Sequence, residues 1–408
     1  MFDVMKIRKD FPMIRNHPEL IYFDNGATSF KPDCVLDTLF DYYQNYNSNI
    51  HRGDYDISFY SSERYEAVRG IVRELLNAER DEEIVYTAGD TASINTIAYG
   101  YGQKFLKKGD VILTSEVEHA SDILPWFRTA EKTGAEIRFI PVNSEGQFLM
   151  EEYRKCFEDG RVKLVCLTYV SNVLGYKYPA KEIIRYAHEQ GALVSLDAAQ
   201  AAPHVPIDVQ DLDVDFLSFS SHKMCGPEGV GILYGKKRLL DQMDPLLLGG
   251  GGNARFYASG EVILKETPHK FEAGTPNIGA VIAFGEALKY VMNIGLEEID
   301  EYESKLAHYF VEKIRDLDNI IVYNPHTDTG IVSFNVKGVF SQDAASYFNK
   351  HHIAVRTGNH CAKMLVDIIG VSDTIRASFY FYNTYEEIDR FVEVLKETTL
   401  EKCIEVIL

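Results

Sequence analysis

LVSLDAAQ at Leu193–Gln200 and DFLSFSSHK at Asp215–Lys223 are the stretches on which the reading of this chain turns. Each begins with residues that are apolar or β-forming at consecutive positions, the pattern of a strand buried on both faces. Each then breaks into polar side chains at its carboxyl end: Asp197 and Gln200 after the first run, Ser220, His222 and Lys223 after the second. Doubly buried strands belong to parallel sheets covered by helices, and open sheets of that kind hold ligands beyond the carboxyl ends of their strands.

Similar runs extend the pattern in both directions. EIVY (Glu83–Tyr86), VILT (Val111–Thr114), IRFI (Ile137–Ile140), LVCLT (Leu164–Thr168) and GVGILY (Gly229–Tyr234) are predicted as strands, with helical stretches at Ser93–Lys107 and Pro179–Gln190 between them. The alternation predicts an α/β fold with a mainly parallel sheet. Beyond residue 280 the texture changes. Long helical patterns at Ile278–Ile294 and Leu296–Leu317 precede strands near Ile331–Val336 and Ala354–Arg356, and Tyr385–Thr398 is again helical. The expected organisation is a large domain over 20–285 and a small α+β carboxy-terminal domain over 286–408, with 1–19 packed near the latter.

Composition narrows the function classes. The 408 residues carry 42 Lys and Arg against 61 Asp and Glu, a net charge of −19, which argues against a broad nucleic-acid surface. No apolar run approaches the roughly 20 residues of a membrane span, and the first twenty residues are charged throughout without a secretory core, so a cytoplasmic protein with no membrane partner is expected. Six cysteines show no CxxC or zinc spacing and read as free thiols. No metal site is expected, and Gly249–Gly252 lacks the ending of a nucleotide-binding P-loop.

The strand-end residues suggest a specific chemistry. Asp197, Lys223 and the Glu118-His119 pair follow predicted strands, and Gly89-Asp90-Thr91 leads into a helix whose free N–H groups could hold an anion. This set suits pyridoxal phosphate. Its aldehyde needs an amine, its ring nitrogen stays protonated only opposite a carboxylate, and a flat imidazole can stack on the ring and relay a proton. Taken singly, a strand-end Asp is more often a helix cap, and a lone Lys or His more often solvated or structural.

The strings Ser220-Ser221-His222-Lys223, Asp197-Ala-Ala-Gln200 and Arg356-Thr-Gly-Asn-His-Cys361 together resemble the class V aminotransferase family. Within it they are similar to the group II cysteine desulfurases of SUF-type iron–sulfur assembly. The resemblance runs over nearly the whole chain. It takes in Tyr22–Ala27, His51-Arg-Gly53, Val170–Gly175, Phe271–Asn277, Arg376-Ala-Ser and Tyr382-Asn-Thr384. It implies the pyridoxal phosphate-dependent transferase fold of the aspartate aminotransferase type (type I) and a homodimer. By the same resemblance Lys223 holds the cofactor, His119 stacks on its ring, Asp197 meets the ring nitrogen and Gln200 the ring oxygen. Ser220, His222 and the backbone at Asp90-Thr91 hold the phosphate, with Thr275 serving the neighbouring subunit. Asn172, Arg356 and Arg376 bind the substrate. Cys361 takes sulfur from L-cysteine as a persulfide, releasing L-alanine, and passes it to a small acceptor protein of the SUF type; Arg356 and His360 are expected to favour its thiolate.

Some positions depart from the family pattern. Asn359 stands where a second His is usual, Met364 where Pro is usual, Ala120 where another His is common, and Asp90 where the phosphate turn usually has Thr. A carboxylate at residue 90 would repel a phosphate unless its side chain turns away. Family members that hand sulfur to a zinc-containing relay protein tend to have a His in the segment before the cysteine strand, and Phe340–Asp343 has none. Three other readings stand beside the first: a selenocysteine lyase acting on L-selenocysteine, a class V aminotransferase without sulfur transfer, and a degenerate assembly scaffold with no catalysis.

Overall fold

The computed structural model describes residues 2–407. Its larger sheet has seven strands in the order Ile84–Thr87, Gly231–Gly235, Phe216–Ser220, Leu193–Asp197, Val162–Thr168, Val111–Ser115 and Glu136–Ile140. Only Gly231–Gly235 runs antiparallel to its neighbours; the remaining pairs are parallel. The central strands are buried along their length, which is why they read as unbroken apolar runs rather than alternating ones. Register aligns Thr168 with Asp197 and Asp197 with Ser218, so polar residues from three strands end at one level.

Helix Ile278–Ile294 is buried on most of its circumference and packs on helices Asp33–Asn45 and Asp56–Leu76. Its contacts set Gly279 against Tyr42 and Gly285 against Val68, where a Cβ would come within 2.5 and 2.7 Å. Because residue 285 lies inside this helix, we propose that the division between the two units falls at Gly295, the left-handed residue (φ +97°) between it and helix Leu296–Ile314. The predicted helix Ser93–Lys107 begins earlier, at Asp90, and widens into a π-helical turn at Ala98–Gly102. Among the described residues no single helix is long and apolar enough to cross a membrane.

The second unit is built on a four-stranded antiparallel sheet, Ile320–Val322, Ile331–Val336, Thr374–Ser378 and Arg356–Gly358 in spatial order. The single strand predicted near residues 354–356 is two: Ile353–Ala354 pairs in parallel with Ile21–Tyr22, and Arg356–Gly358 pairs with Thr374–Ser378. Ile21 and Phe23 are buried in the core of this second unit, so we propose that the chain crosses to the large unit only after Phe23. The amino-terminal helices bind both units. Arg8 donates to Tyr382 O at 2.6 Å and pairs with Glu387 at 2.9 Å, while Tyr290 Oη donates to Asp10 at 2.8 Å.

Candidate active site

A cavity of about 260 Å³ opens where the carboxyl ends of the large sheet meet the second unit. It gathers Asp90, Thr91, His119, Asn172, Asp197, Gln200, Ser220, His222, Lys223, Arg356, His360, Cys361 and Arg376, every residue given a catalytic, cofactor or substrate role from the sequence except Thr275. Thr275 lines a separate cavity with His51 and Arg52.

The floor is set by strand ends. Asp197 Oδ1 accepts the Ala199 N–H at 2.8 Å, which fixes the carboxylate where the backbone turns. Lys223 ends a short 3-10 turn after Phe216–Ser220. Desolvation pulls its amine below the ordinary lysine range, opposed by Asp197 and Asp90, which favours a neutral nucleophilic amine. His119 is held neutral by burial and by Lys223. Its Nδ1 accepts the Ser121 N–H at 3.1 Å, so the ring proton sits on Nε2. Behind it Glu118 accepts from Ser115 Oγ at 2.5 Å and from the Thr168 N–H at 2.6 Å, and burial pushes its carboxyl up to about 8.

One end of the cavity is suited to an anion. Gly89 is left-handed (φ +151°), and a Cβ on Gly231 would come within 2.4 Å of the Gly89 carbonyl carbon. The turn therefore lies flat on the antiparallel strand. The Asp90 N–H donates to Ser220 Oγ at 2.8 Å, and Thr91 Oγ1 lies 2.8 Å from Ser121 Oγ. The Asp90 side chain points away from this end, towards Asp197 and Ser218. That orientation removes the repulsion expected from a carboxylate in the turn. Burial and Lys223 keep His222 down at about 4, so it is neutral.

The opposite wall carries two guanidinium groups. Arg356 and Arg376 are direct partners across adjacent strands, a placement that repels unless an anion stands between. Asp24 fills that position, 3.3 Å from Arg376 Nη2 and 3.7 Å from Arg356 Nη1. Arg376 is buried, donates from Nη1 to Asn172 O at 2.8 Å, and leaves Nε without a partner; Arg356 is exposed.

Cys361 is exposed at the mouth, on a turn between strand Arg356–Gly358 and helix Lys363–Ile368. His360 and Cys361 are both left-handed, at φ +51° and +59°, a conformation that needs outside support in non-glycine residues. Three hydrogen bonds give it. Asn172 Nδ2 donates to His360 O at 2.9 Å, the Ala120 N–H donates to Cys361 O at 2.8 Å, and the Cys361 N–H donates to Asn359 Oδ1 at 3.1 Å. Asn359, a departure from the family pattern, thus closes the turn. The expectation that His360 supplies positive charge is corrected: burial and Arg376 hold its imidazole down at about 3, so it is neutral, with Nε2 on Thr374 Oγ1 at 2.9 Å. The sequence reading also missed Asp24 as a site residue. It lies in a quoted string, but its place between two arginines depends on a contact spanning the chain.

Comparison with known proteins agrees with this geometry. The family described as Aminotransferase class-V matches residues 21–391. A Staphylococcus epidermidis protein named probable cysteine desulfurase is 42% identical over 402 residues, 97% of each chain. The apo structure of cysteine desulfurase from Thermococcus onnurineus NA1 superposes with a TM-score of 0.91 at 39% identity, covering 96% of this chain and 97% of that one. The Escherichia coli cysteine desulfurase CsdA, in an S-sulfonic acid form, superposes with a TM-score of 0.91 at 33% identity over 99% of both chains. The fold is thus that of the pyridoxal phosphate-dependent transferases of type I, and the chain belongs to the class-V aminotransferase family, alongside relatives named as cysteine desulfurases.

Proposed function

We propose that this protein is a pyridoxal phosphate-dependent cysteine desulfurase. The observation that carries the reading is the placement of an exposed cysteine, Cys361, on a braced left-handed turn at the mouth of the cavity that holds Lys223, Asp197 and His119. An aminotransferase has no use for a thiol there.

The cavity fits the cofactor by its donor set. It offers one amine, one carboxylate, a flat imidazole, and an anion end formed by hydroxyls and a helix start. When bound, pyridoxal phosphate supplies an aldehyde for an amino group and a ring that withdraws electrons from the carbon attached to it. Lys223 would hold the aldehyde and Asp197 the ring nitrogen. Ser220, His222, Thr91 and the backbone at residues 90–91 would hold the phosphate, and the Gln200 amide would meet the ring oxygen. Gln200 Nε2 already donates to Gly26 O at 2.7 Å, leaving its second N–H for that contact.

Arg376, with Arg356 beside it, would take the carboxylate of L-cysteine; the planar fork sets the orientation. Asn172 stands next to that position. The Lys223 amine, held below the ordinary lysine range, can remove and return a proton at the substrate carbon. His119 can give its Nε2 proton to a leaving group. The Cys361 sulfur bonds to the substrate sulfur as the carbon–sulfur bond breaks. In sum, Cys361–SH and L-cysteine become Cys361–S–SH and L-alanine, with no external oxidant or reductant.

The same reading includes a homodimer, in which Thr275 serves the neighbour's phosphate end. Its location in a second cavity with His51 and Arg52 supports that role. It also includes a small acceptor protein that takes the persulfide towards iron–sulfur assembly, for which the exposure of Cys361 is the supporting feature. The test is a pulse of cysteine followed by peptide mass analysis. A gain of one sulfur on the Cys361 peptide, with one alanine formed per sulfur, is expected. Sulfur on Cys225 or Cys403 instead, with Cys361→Ser fully active, would overturn the assignment.

A further inference from the structure

Asp90 occupies a position where the family pattern has a hydroxyl, and its side chain does not serve the anion end. The residue is only 6% exposed, and its Oδ1 is buried with no N–H or O–H directed at it. It faces the carboxyl of Asp197, which is 4% exposed, and the buried hydroxyl of Ser218. Two buried carboxyls facing each other, with a single hydroxyl beside them, disfavour a second negative charge, and one keeps a proton.

The surrounding charges show which one. Asp197 Oδ1 accepts the Ala199 N–H, and Asp197 is the foremost anionic neighbour of Lys223. Both set a donor or a positive charge against its oxygens. Asp90 Oδ1 has no such donor, and burial and Asp197 raise its carboxyl well above the ordinary range against the opposing pull of Ser218 and Lys223. Among the other titratable neighbours, Asp122 and Glu118 are buried carboxyls that disfavour further negative charge, while neutral His119 brings none.

We infer that Asp90 and Asp197 hold one proton between them, carried by Asp90 and donated to Asp197, so that Asp90 is a positioning residue for the carboxylate that meets the cofactor ring. The donated O–H fixes the direction in which Asp197 presents its other oxygen to a ring nitrogen. The role towards the ring rests on the cofactor reading above; the shared proton does not.

Thermal unfolding of the full chain freed of cofactor tests the proton. A carboxyl raised in the folded state contributes stability that is fully present below its unfolded value and is lost as pH rises through its folded value. Asp90→Asn keeps a donor towards Asp197 and cannot ionise. Its melting midpoint should therefore gain on the wild type by several degrees between about pH 5 and about pH 8. A difference that stays constant over that range overturns the shared proton. The second measurement is pyridoxal phosphate affinity. Asp90→Leu should weaken it at least about tenfold and Asp90→Asn should restore it; failure of Asn to restore it overturns the positioning role. If the wild type takes up no pyridoxal phosphate, the cofactor reading fails, and the pH series alone decides the proton.

Discussion

Lys223 and Cys361 reach one cavity from different units of the chain, and single substitutions should separate their work. Lys223→Ala should remove the yellow colour of the bound cofactor together with turnover, and borohydride reduction of the wild type should fix the adduct on the Lys223 peptide. Cys361→Ser should stay yellow and still bind cysteine, yet lose at least about a hundredfold in alanine formation, because a hydroxyl is a far poorer nucleophile towards sulfur. Asn172 deserves a separate test, since its amide braces the Cys361 turn through His360 O. Removing one such bond costs about 1 kcal/mol, so Asn172→Ala should change the rate at which iodoacetamide alkylates Cys361 by a few-fold. An unchanged alkylation rate would show that the turn stands without Asn172. At this scale the sequence was informative wherever a polar residue interrupts an apolar run, as at Asp197 and Lys223. It could not give the direction of the Asp90 side chain, which depends on a facing carboxyl from another strand.

Strands and turns set the next level of precision. Strand Thr374–Ser378 is fully buried yet reads TIRAS, with only Ile375 and Ala377 apolar. Nothing in its local pattern predicts a central strand, because Thr374, Arg376 and Ser378 turn to the site side, where His360, Asp24 and Gly26 meet them. By contrast, helix Ile278–Ile294 and strand Ile331–Val336 match their predicted limits, since apolar residues dominate the buried positions of both. The pairing of Arg356 with Arg376 leads to a graded expectation. Arg376→Lys should raise the KM for cysteine by at least about tenfold, because a point charge cannot replace a buried fork, while the exposed Arg356→Lys should raise it less. Equal effects would show that burial does not rank the two. Gly231→Ala would press a Cβ onto Gly89 at 2.4 Å. Overpacking of this kind costs roughly 1–3 kcal/mol and would lift the phosphate turn, so both the melting midpoint and pyridoxal phosphate affinity should fall.

Across the whole molecule, the seam between the two units holds a buried pair that the site does not use. His204 Nδ1 lies 2.7 Å from Glu303 Oε2, with both side chains buried. Burial holds His204 down at about 3 and raises Glu303, which describes a neutral pair in which the Glu303 carboxyl donates to the ring. Glu303→Gln keeps a donor and should cost less than about 1 kcal/mol, whereas Glu303→Leu leaves a buried ring nitrogen unpaired at about 1–3 kcal/mol. A histidine depressed in the folded state contributes stability that is present above its unfolded value near 6.5 and is lost as pH falls towards its folded value. In Glu303→Gln, where only His204 titrates, stability should therefore fall by about 2 kcal/mol between about pH 7 and about pH 5, read as a falling denaturation midpoint in urea, whereas in the wild type the raised Glu303 carboxyl has the opposite slope and offsets that loss. A variant midpoint indifferent to acid, or a wild type that falls as steeply as Glu303→Gln, would overturn the neutral pair.

The pairing of Ile21–Tyr22 with Ile353–Ala354, and the burial of Phe23 beside it, also carries a consequence for how the chain is made. During synthesis Ile21, Tyr22 and Phe23 leave the ribosome long before their complement at Ile353–Ala354 emerges. The large sheet lies wholly between these two segments, so it can close while both remain loose, and the clasp that joins them comes last. Any chain released short of residue 353 keeps Ile21, Tyr22 and Phe23 uncovered, a ready handle for chaperones and proteases. Truncated products thereby carry their own mark for removal, while the finished chain hides it beneath the second unit.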